Sequence, residues 1–162
     1  MRRLHCVSVM LLACTIALAA QDKYNGPRPP KADVPYLMHA DNLIELDVAQ
    51  AREEQKKDDS LYIVSGAAAT ARTPVAEPIF LFQSDKISPD SLELYAMEVK
   101  NGNRQVVVAK KAKNSSKQHR LMVTKLEDKL YRIEVNEGLG LENGEYSISP
   151  QGTNDVFCFS VY

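Results

Sequence analysis

Cysteine is scarce in this chain, and its positions exclude a fold built on disulfides. Two of the three cysteines, Cys6 and Cys14, lie in an apolar N-terminal segment that we expect to be removed. Cys158 is then left alone, and a single thiol cannot form an internal disulfide. It stands between phenylalanines in "VFCFSV", an environment that raises the pKa of a thiol. We therefore interpret Cys158 as a buried structural residue.

The chain also lacks a strong net charge. It has 20 Lys and Arg against 21 Asp and Glu, a formal charge of −1. Without Arg2 and Arg3, 18 basic residues stand against 21 acidic ones, and the formal charge becomes about −3. This near-neutral balance argues against nucleic acid or an anionic membrane as an obligatory partner.

Long apolar runs are missing after residue 20, so no later segment is predicted to span a membrane. At the start, Arg2 and Arg3 precede "CVSVMLLACTIALAA", which is shorter than the roughly 20 residues that a spanning helix needs. Small residues near Ala19 suit a signal peptidase. We expect a signal peptide over residues 1–20 and a secreted or periplasmic protein. "MLLAC" leaves open a lipoprotein anchored through Cys14, although the apolar run continues past that cysteine.

Motifs of common catalytic and metal centres are absent. There is no G-x-S-x-G, H-E-x-x-H, C-x-x-C, EF-hand or P-loop pattern. Past residue 20 the histidines are His39 and His119, which have Met38 and Met122 nearby, a pairing that suits copper. Such pairs arise easily by chance, so we expect no cofactor, and copper handling stays an alternative. Carboxylates are plentiful without a distinct pair, so a hydrolase with an unrecognised carboxylate site is the other alternative.

Proline is concentrated near the start of the mature chain. Residues 21–35 contain Pro27, Pro29, Pro30 and Pro35, which favour an extended, proline-rich tether. The following segment, "YLMHADNLIEL" at Tyr36–Leu46, has enough apolar residues to dock on a surface. We interpret residues 36–59 as this docking segment and a short polar helix. The docking segment is a candidate to complete an exposed sheet edge, in its own molecule or in a neighbour.

The pattern after Leu46 predicts that helix. Asp47 resembles an N-cap, with Gln50 three residues on and Leu46 and Ala51 placed as a hydrophobic staple. The predicted helix spans Val48–Lys57, with a mainly polar surface.

From residue 60 onward the apolar residues alternate with a period of two. "YRIEV" is the clearest example, and "KNGNR" between apolar runs is a strong hairpin signal. Several short strands without a long helix predict an all-β fold, an antiparallel Greek-key (immunoglobulin-like) β-sandwich over residues 60–162. Leu141, Gly144 and Tyr146 form an L-x-x-G-x-Y pattern like a tyrosine corner, in which the phenol bonds back to the preceding arch. Tyr146 and Gly144 are therefore predicted to have structural roles.

The C-terminal part of the chain carries a resemblance. "LELYAMEVKNGNRQVVV", "LENGEY" and "VFCFSVY" lie in this order between Leu92 and Tyr162. Together they resemble exported bacterial β-sandwich domains of uncharacterised role, which end in a G-E-Y strand and an F-x-V strand. The resemblance implies the fold and the export, and it implies no activity and no site residues.

The most uneven charge distribution is in "KKAKNSSKQHR". Its basic residues, with no acid among them, are Lys110, Lys111, Lys113, Lys117 and Arg120. A basic loop of this kind could bind an anionic glycan, a lipid headgroup or an acidic partner, or it could be a solvated loop that protects a strand edge.

The function predicted from these observations is a binding one. We expect an exported, non-catalytic β-sandwich module that binds a protein or a glycan of the cell envelope through loops and strand edges.

Overall fold

The computed structural model describes residues 23–57, 59–109, 111–135, 138 and 140–162. The predicted signal peptide, Cys14 and Lys110 lie outside the described residues. Within them the chain is all-β with two short 3-10 turns, Pro89–Ser91 and Ala112–Asn114, which confirms the predicted class. In this described part, no helix has the length and apolar character needed to cross a bilayer.

The strands are named in chain order. They are β1 (Pro35–His39), β2 (Asn42–Glu45), β3 (Asp47–Gln50), β4 (Arg52–Lys56), β5 (Asp59–Ser65), β6 (Arg72–Thr73), β7 (Ile79–Gln83), β8 (Leu92–Lys100), β9 (Asn103–Ala109), β10 (Gln118–His119), β11 (Leu121–Glu127), β12 (Leu130–Val135), β13 (Gly144–Pro150) and β14 (Asp155–Val161).

These strands form two sheets. The five-stranded sheet has the order β11-β12-β7-β1-β2, and its strands pair antiparallel. The nine-stranded sheet has the order β3-β14-β13-β8-β9-β5-β4, with β10 beside β8 and β6 parallel to β14. Residues that the sequence analysis placed before the sandwich thus contribute β1 to β4.

The two ends of the nine-stranded sheet are consecutive in the chain. β3 pairs with β14 and β4 pairs with β5, and only Ala51 separates β3 from β4. The Ala51 N–H donates to the carbonyl oxygen of Asn154 at 2.8 Å. Because one extended segment joins both ends, the sheet curls into a half-barrel, the name used below for the curled part formed by β3, β4, β5, β8, β9, β13 and β14.

The predicted helix over Val48–Lys57 is wrong, since β3 and β4 occupy that stretch. The predicted helix would have had little apolar surface to bury, and even in the observed strand Val48 is 57% exposed. As strands, these residues pair their backbone groups with two neighbouring strands, β14 and β5. Asp47, the predicted N-cap, binds backbone groups of a distant loop instead of a helix start. The Asp47 carboxylate accepts the backbone N–H of Thr70 at 2.7 Å and of Ala71 at 3.3 Å, holding the loop before β6.

The main core lies between the five-stranded sheet and the β8-β13-β14 part of the other sheet. Phe80 of β7 meets Phe159 of β14 edge to face, with ring centroids 5.0 Å apart. Leu37 and Leu46, at the two ends of the Tyr36–Leu46 segment, are both buried in this core. The segment therefore completes a sheet in its own molecule, as the β1-β2 hairpin beside β7.

The described part of the proline-rich segment lies along the five-stranded sheet. The Glu127 carboxylate accepts the Tyr24 N–H at 2.8 Å and bonds to Arg28. The Asp33 carboxylate accepts backbone N–H groups of residues 85, 86 and 87 at 2.9–3.0 Å. Burial alone would raise the pKa of Asp33, but these three donors outweigh it and lower that pKa. Asp33 thus fastens the segment to the turn after β7.

The arch before β13 is held by Tyr146. Its hydroxyl donates to the carbonyl oxygen of Glu142 at 2.7 Å, and its ring stacks on Phe159 with a centroid distance of 5.5 Å. On the other side of the arch, the Leu141 N–H donates to the Ala76 carbonyl oxygen at 2.7 Å. Gly140 has φ of 69° and lies so close to Ala76 that a side chain would clash.

Replacing Tyr146 by Phe is expected to lower the free energy of unfolding by about 1 kcal/mol, because it removes the hydroxyl bond and keeps the buried ring. The melting temperature measured by circular dichroism should fall by about 2–6 °C. Tyr162→Phe is the control, since Tyr162 is exposed at the end of the chain. Equal melting temperatures for the two variants would contradict a stabilising role for the Tyr146 bond.

Candidate functional site

The inner face of the half-barrel encloses a pocket of about 380 Å³. Side chains alternate between the faces of a strand, so the lining residues recur at every second position. From the strands these are Glu53 of β4, Tyr62 and Val64 of β5, Glu93, Tyr95 and Met97 of β8, Val106 and Val108 of β9, Ser147 and Ser149 of β13, and Val156 of β14, with Ala51 between β3 and β4 and Pro150 at the end of β13. The β13-β14 turn, Gln151 to Asn154, also lines it. We call this space the half-barrel pocket.

The pocket has an apolar floor. Ala51, Val64, Met97, Val106 and Val156 belong to a second buried cluster, separate from the main core. Cys158 and Ala69 complete this cluster. Burial raises the pKa of Cys158 to about 11, so its thiol stays protonated at neutral pH and is a poor nucleophile.

Several of the side chains that line the pocket are small. Ala51 stands where the two ends of the sheet meet, and Ser147 and Ser149 stand on β13. A Leu or Phe at these positions would fill the interior to the density usual in proteins. Three short side chains among the lining residues thus leave space in the pocket.

Two tyrosines and two glutamates line the upper part of the pocket. The Tyr95 hydroxyl donates to Glu93 Oε2 at 2.9 Å, and the Tyr62 hydroxyl donates to Glu53 Oε1 at 3.4 Å. Burial, followed by the bond to Glu93 and its charge, raises the pKa of Tyr95 to about 12. Tyr95 therefore stays a hydrogen-bond donor across the physiological range, and Glu93 accepts.

Ser147 is the polar residue deepest in the pocket. Its side chain is 1% exposed, and its hydroxyl has no hydrogen-bond partner among the described residues. Buried hydroxyl groups are normally bonded, because leaving one unpaired costs about 1–3 kcal/mol. The Ser147 hydroxyl is therefore an unused hydrogen-bonding group in the wall of the pocket.

The predicted basic loop lies elsewhere. Lys111, Lys113, Lys117 and Arg120 are exposed, and none of them lines the half-barrel pocket. The serines between them have the structural role, since Ser116 Oγ accepts the Val107 N–H at 2.9 Å and Ser115 Oγ accepts the Ala109 N–H at 2.8 Å.

This loop closes a gap in the sheet. β8 pairs with β9 only over residues 98–100, and the two strands then separate. Beyond that point the Ala96 N–H donates to the Lys117 carbonyl oxygen at 2.9 Å, and β10 continues beside β8. The loop thus supplies the backbone partners that β9 no longer offers.

The predicted metal candidates lie in different sheets. His39 is exposed at the end of β1, and His119 is buried in β10 with its ring 5.7 Å from that of Tyr146. In the part of the chain that the structure describes, no group of three or more His, Cys, Asp or Glu side chains could hold a metal ion.

Sequence reasoning missed the residues of the half-barrel pocket. Glu53 was assigned to the helix, and Tyr62, Tyr95 and Ser147 were assigned only to strands. The alternation in "LELYAME" was a usable signal, because Glu93 and Tyr95 alternate with Leu92, Leu94 and Ala96 of the main core. Which of the two faces encloses a pocket depends on the curl of the sheet, which no local pattern encodes.

Comparison with known proteins adds no relative, since no family model, no curated protein and no solved structure matches this chain.

Replacing Ser147 by Ala is expected to leave the free energy of unfolding within about 1 kcal/mol of the parent or to increase it, because the unpaired hydroxyl disappears. Ser116→Ala is the matched control, and it should lose about 1 kcal/mol together with its bond to Val107. Urea denaturation measures both variants. A loss for Ser147→Ala as large as that for Ser116→Ala would show that the Ser147 hydroxyl is bonded.

Proposed function

We propose that this protein is an exported, non-catalytic binding module that takes up a segment of a glycan or of a protein of the cell envelope in its half-barrel pocket. The observation that carries the proposal is the pocket itself, a concave space of about 380 Å³ on the inner face of the curled sheet, between an apolar floor and polar side chains. Ligand sites commonly combine an apolar surface with a few converging polar groups and have volumes of about 300–1,000 Å³.

The chemistry of the pocket supports a ligand with both apolar and polar groups. Tyr62 and Tyr95 offer aromatic surface next to carboxylates, while Gln151 and Asn154 add amides from the β13-β14 turn. Sugar rings and peptide side chains both have this mixed character, with apolar CH groups beside hydrogen-bonding groups. The unpaired Ser147 hydroxyl in the pocket wall is one more hydrogen-bonding group beside such a ligand.

Export to the periplasm or the cell exterior belongs to the same proposal. Its support is the N-terminal sequence, with Arg2 and Arg3 before an apolar run, and the lipoprotein anchored through Cys14 is its variant. Kinship with exported bacterial β-sandwich domains and an immunoglobulin-like Greek key also stay predictions. The Tyr146 bond across the arch supports the latter, because such bonds are typical of those sandwiches.

The second candidate function is hydrolysis, because Glu53 and Glu93 line the same pocket. Acid–base hydrolysis needs two carboxyl groups in different environments, and here Glu53 is exposed whereas Glu93 is half-buried. We expect no turnover above that of a Glu53→Gln, Glu93→Gln double variant when oligosaccharides are assayed for new reducing ends. Turnover by the parent that the double variant loses would replace the binding role with a hydrolytic one.

The binding role is tested by blocking the pocket. Val108 is at the pocket wall and is 41% exposed, so a Trp at this position should occupy the mouth without disturbing the main core. The matched control is Val99→Trp on β8, which is 49% exposed and does not line the pocket. We expect Val108→Trp to weaken ligand binding about tenfold or more and Val99→Trp to leave it within about twofold.

The measurement is NMR titration of the isotope-labelled protein with neutral and amine-bearing oligosaccharides and with short peptides. Chemical-shift changes should concentrate on the strands that line the pocket. Changes confined to residues 111–120 would transfer the binding role to the basic loop. Unaltered binding by Val108→Trp would show that the ligand does not bind in the pocket.

A further inference from the structure

The charge of the half-barrel pocket is of one sign. Its charged lining residues, among those the structure describes, are Glu53 and Glu93, and no described Lys, Arg or His lines it. The bonds that these carboxylates receive from described side chains come from neutral donors: Tyr95 for Glu93, and Gln55 and Tyr62 for Glu53. Hydrogen bonds from neutral groups orient a carboxylate without neutralising it. The pocket therefore has an uncompensated negative charge next to an apolar floor.

Glu93 is the better placed of the two carboxylates. It is half-buried, whereas Glu53 is exposed, and a charge interaction strengthens as solvent is excluded. A carboxylate has about four acceptor sites, so the bond from Tyr95 leaves Glu93 able to accept from a ligand. The phenol also restricts the rotation of the Glu93 side chain, which reduces the entropy lost when a ligand binds.

The tyrosines beside these carboxylates favour the same kind of ligand. The face of an aromatic ring attracts a cation, and the attraction strengthens as water is excluded. Tyr62 and Tyr95 both line the pocket, and each bonds through its hydroxyl to one of the two glutamates. An ammonium group is small, carries three donors and can contact a carboxylate and a ring together.

A second feature of the pocket, besides the carboxylates of Glu53 and Glu93, also favours a ligand. Ser147, buried in the wall of the same pocket, has a hydroxyl without a partner among the described residues. A ligand that fills the pocket down to its floor would place a polar group near this hydroxyl. The charge of the two carboxylates and the unpaired hydroxyl in the wall thus favour one ligand with several polar groups.

We propose that the half-barrel pocket binds its ligand through a protonated amino group, with Glu93 as the principal counter-charge and Glu53 as a second one. This inference rests on the proposed binding function and names the chemistry of its ligand. The amino group belongs to an amino sugar or to a lysine side chain, since both present the same charge and donors.

The experiment compares matched ligands that differ only in that charge. Isothermal titration uses a glucosamine oligosaccharide against its N-acetylated counterpart, and a short lysine peptide against the same peptide with acetylated lysine. We expect one amine-bearing ligand to bind about tenfold more tightly than its acetylated partner. The pair that shows this difference identifies the source of the amino group.

Glu93→Gln tests the counter-charge. Glutamine keeps an acceptor for the Tyr95 hydroxyl and nearly the same shape, so the substitution removes the charge alone. It should abolish the preference for the amine and leave binding of the acetylated ligand within about twofold. Glu98→Gln is the control, because Glu98 lies on the same strand, is exposed and is not part of the pocket.

The outcomes separate this inference from the proposed function. Equal binding of the amine and its acetylated partner, still blocked by Val108→Trp, would overturn the inference and leave the binding role in place. A preference for the amine that survives Glu93→Gln would also overturn it. Failure of all four ligands to bind would overturn the inference and count against the binding role itself.

Discussion

The extended segment from Asp47 to Lys56 is the constraint on which the rest of the molecule depends. A sheet edge exposes unpaired backbone groups, and this segment satisfies one edge of β14 with its first half and one edge of β5 with its second. The sheet must curl for a single segment to reach both. Asp47 at its start also holds the loop before β6 through Thr70 and Ala71, so the closure of the sheet and the course of that loop are coupled.

Because the sheet curls, β8, β13 and β14 have the main core on one face and the interior of the half-barrel on the other. Along β14, Phe157 and Phe159 face the main core, while Val156 and Cys158 face the half-barrel. Both faces are therefore apolar, which explains the continuous run "VFCFSV" where a half-exposed strand would alternate with polar residues. On β13 the half-barrel side is occupied by serines instead, and the pocket lies there. A ligand in this pocket would contact a wall whose other side belongs to the main core.

The half-barrel pocket combines a rigid, buried wall with exposed polar groups at its surface. A binding site requires both. The floor and the shared wall are fixed by burial, whereas Glu53 and the β13-β14 turn lie at the surface, where the proposed ligand would enter. The bonds from Tyr62 and Tyr95 set the orientation of two carboxylates in advance. Such preorganisation reduces the cost of binding, and it is consistent with a module that binds rather than with a structure that merely spaces other domains.

The sequence by itself determined the all-β class, the burial of Cys158 and the arch held by Tyr146, because each follows from local rules: alternation with a period of two, an apolar context and a turn with glycine. The sequence could not determine the secondary structure of residues 47–56, because Asp47 and Gln50 resemble a helix start. The local propensities there are weak, so pairing with β14 and β5 decides that the segment forms strands. The sequence could not predict the pocket either. Glu53, Glu93 and Ser147 are separated by long stretches of chain, and they share a cavity only because the tertiary structure bends the sheet around them.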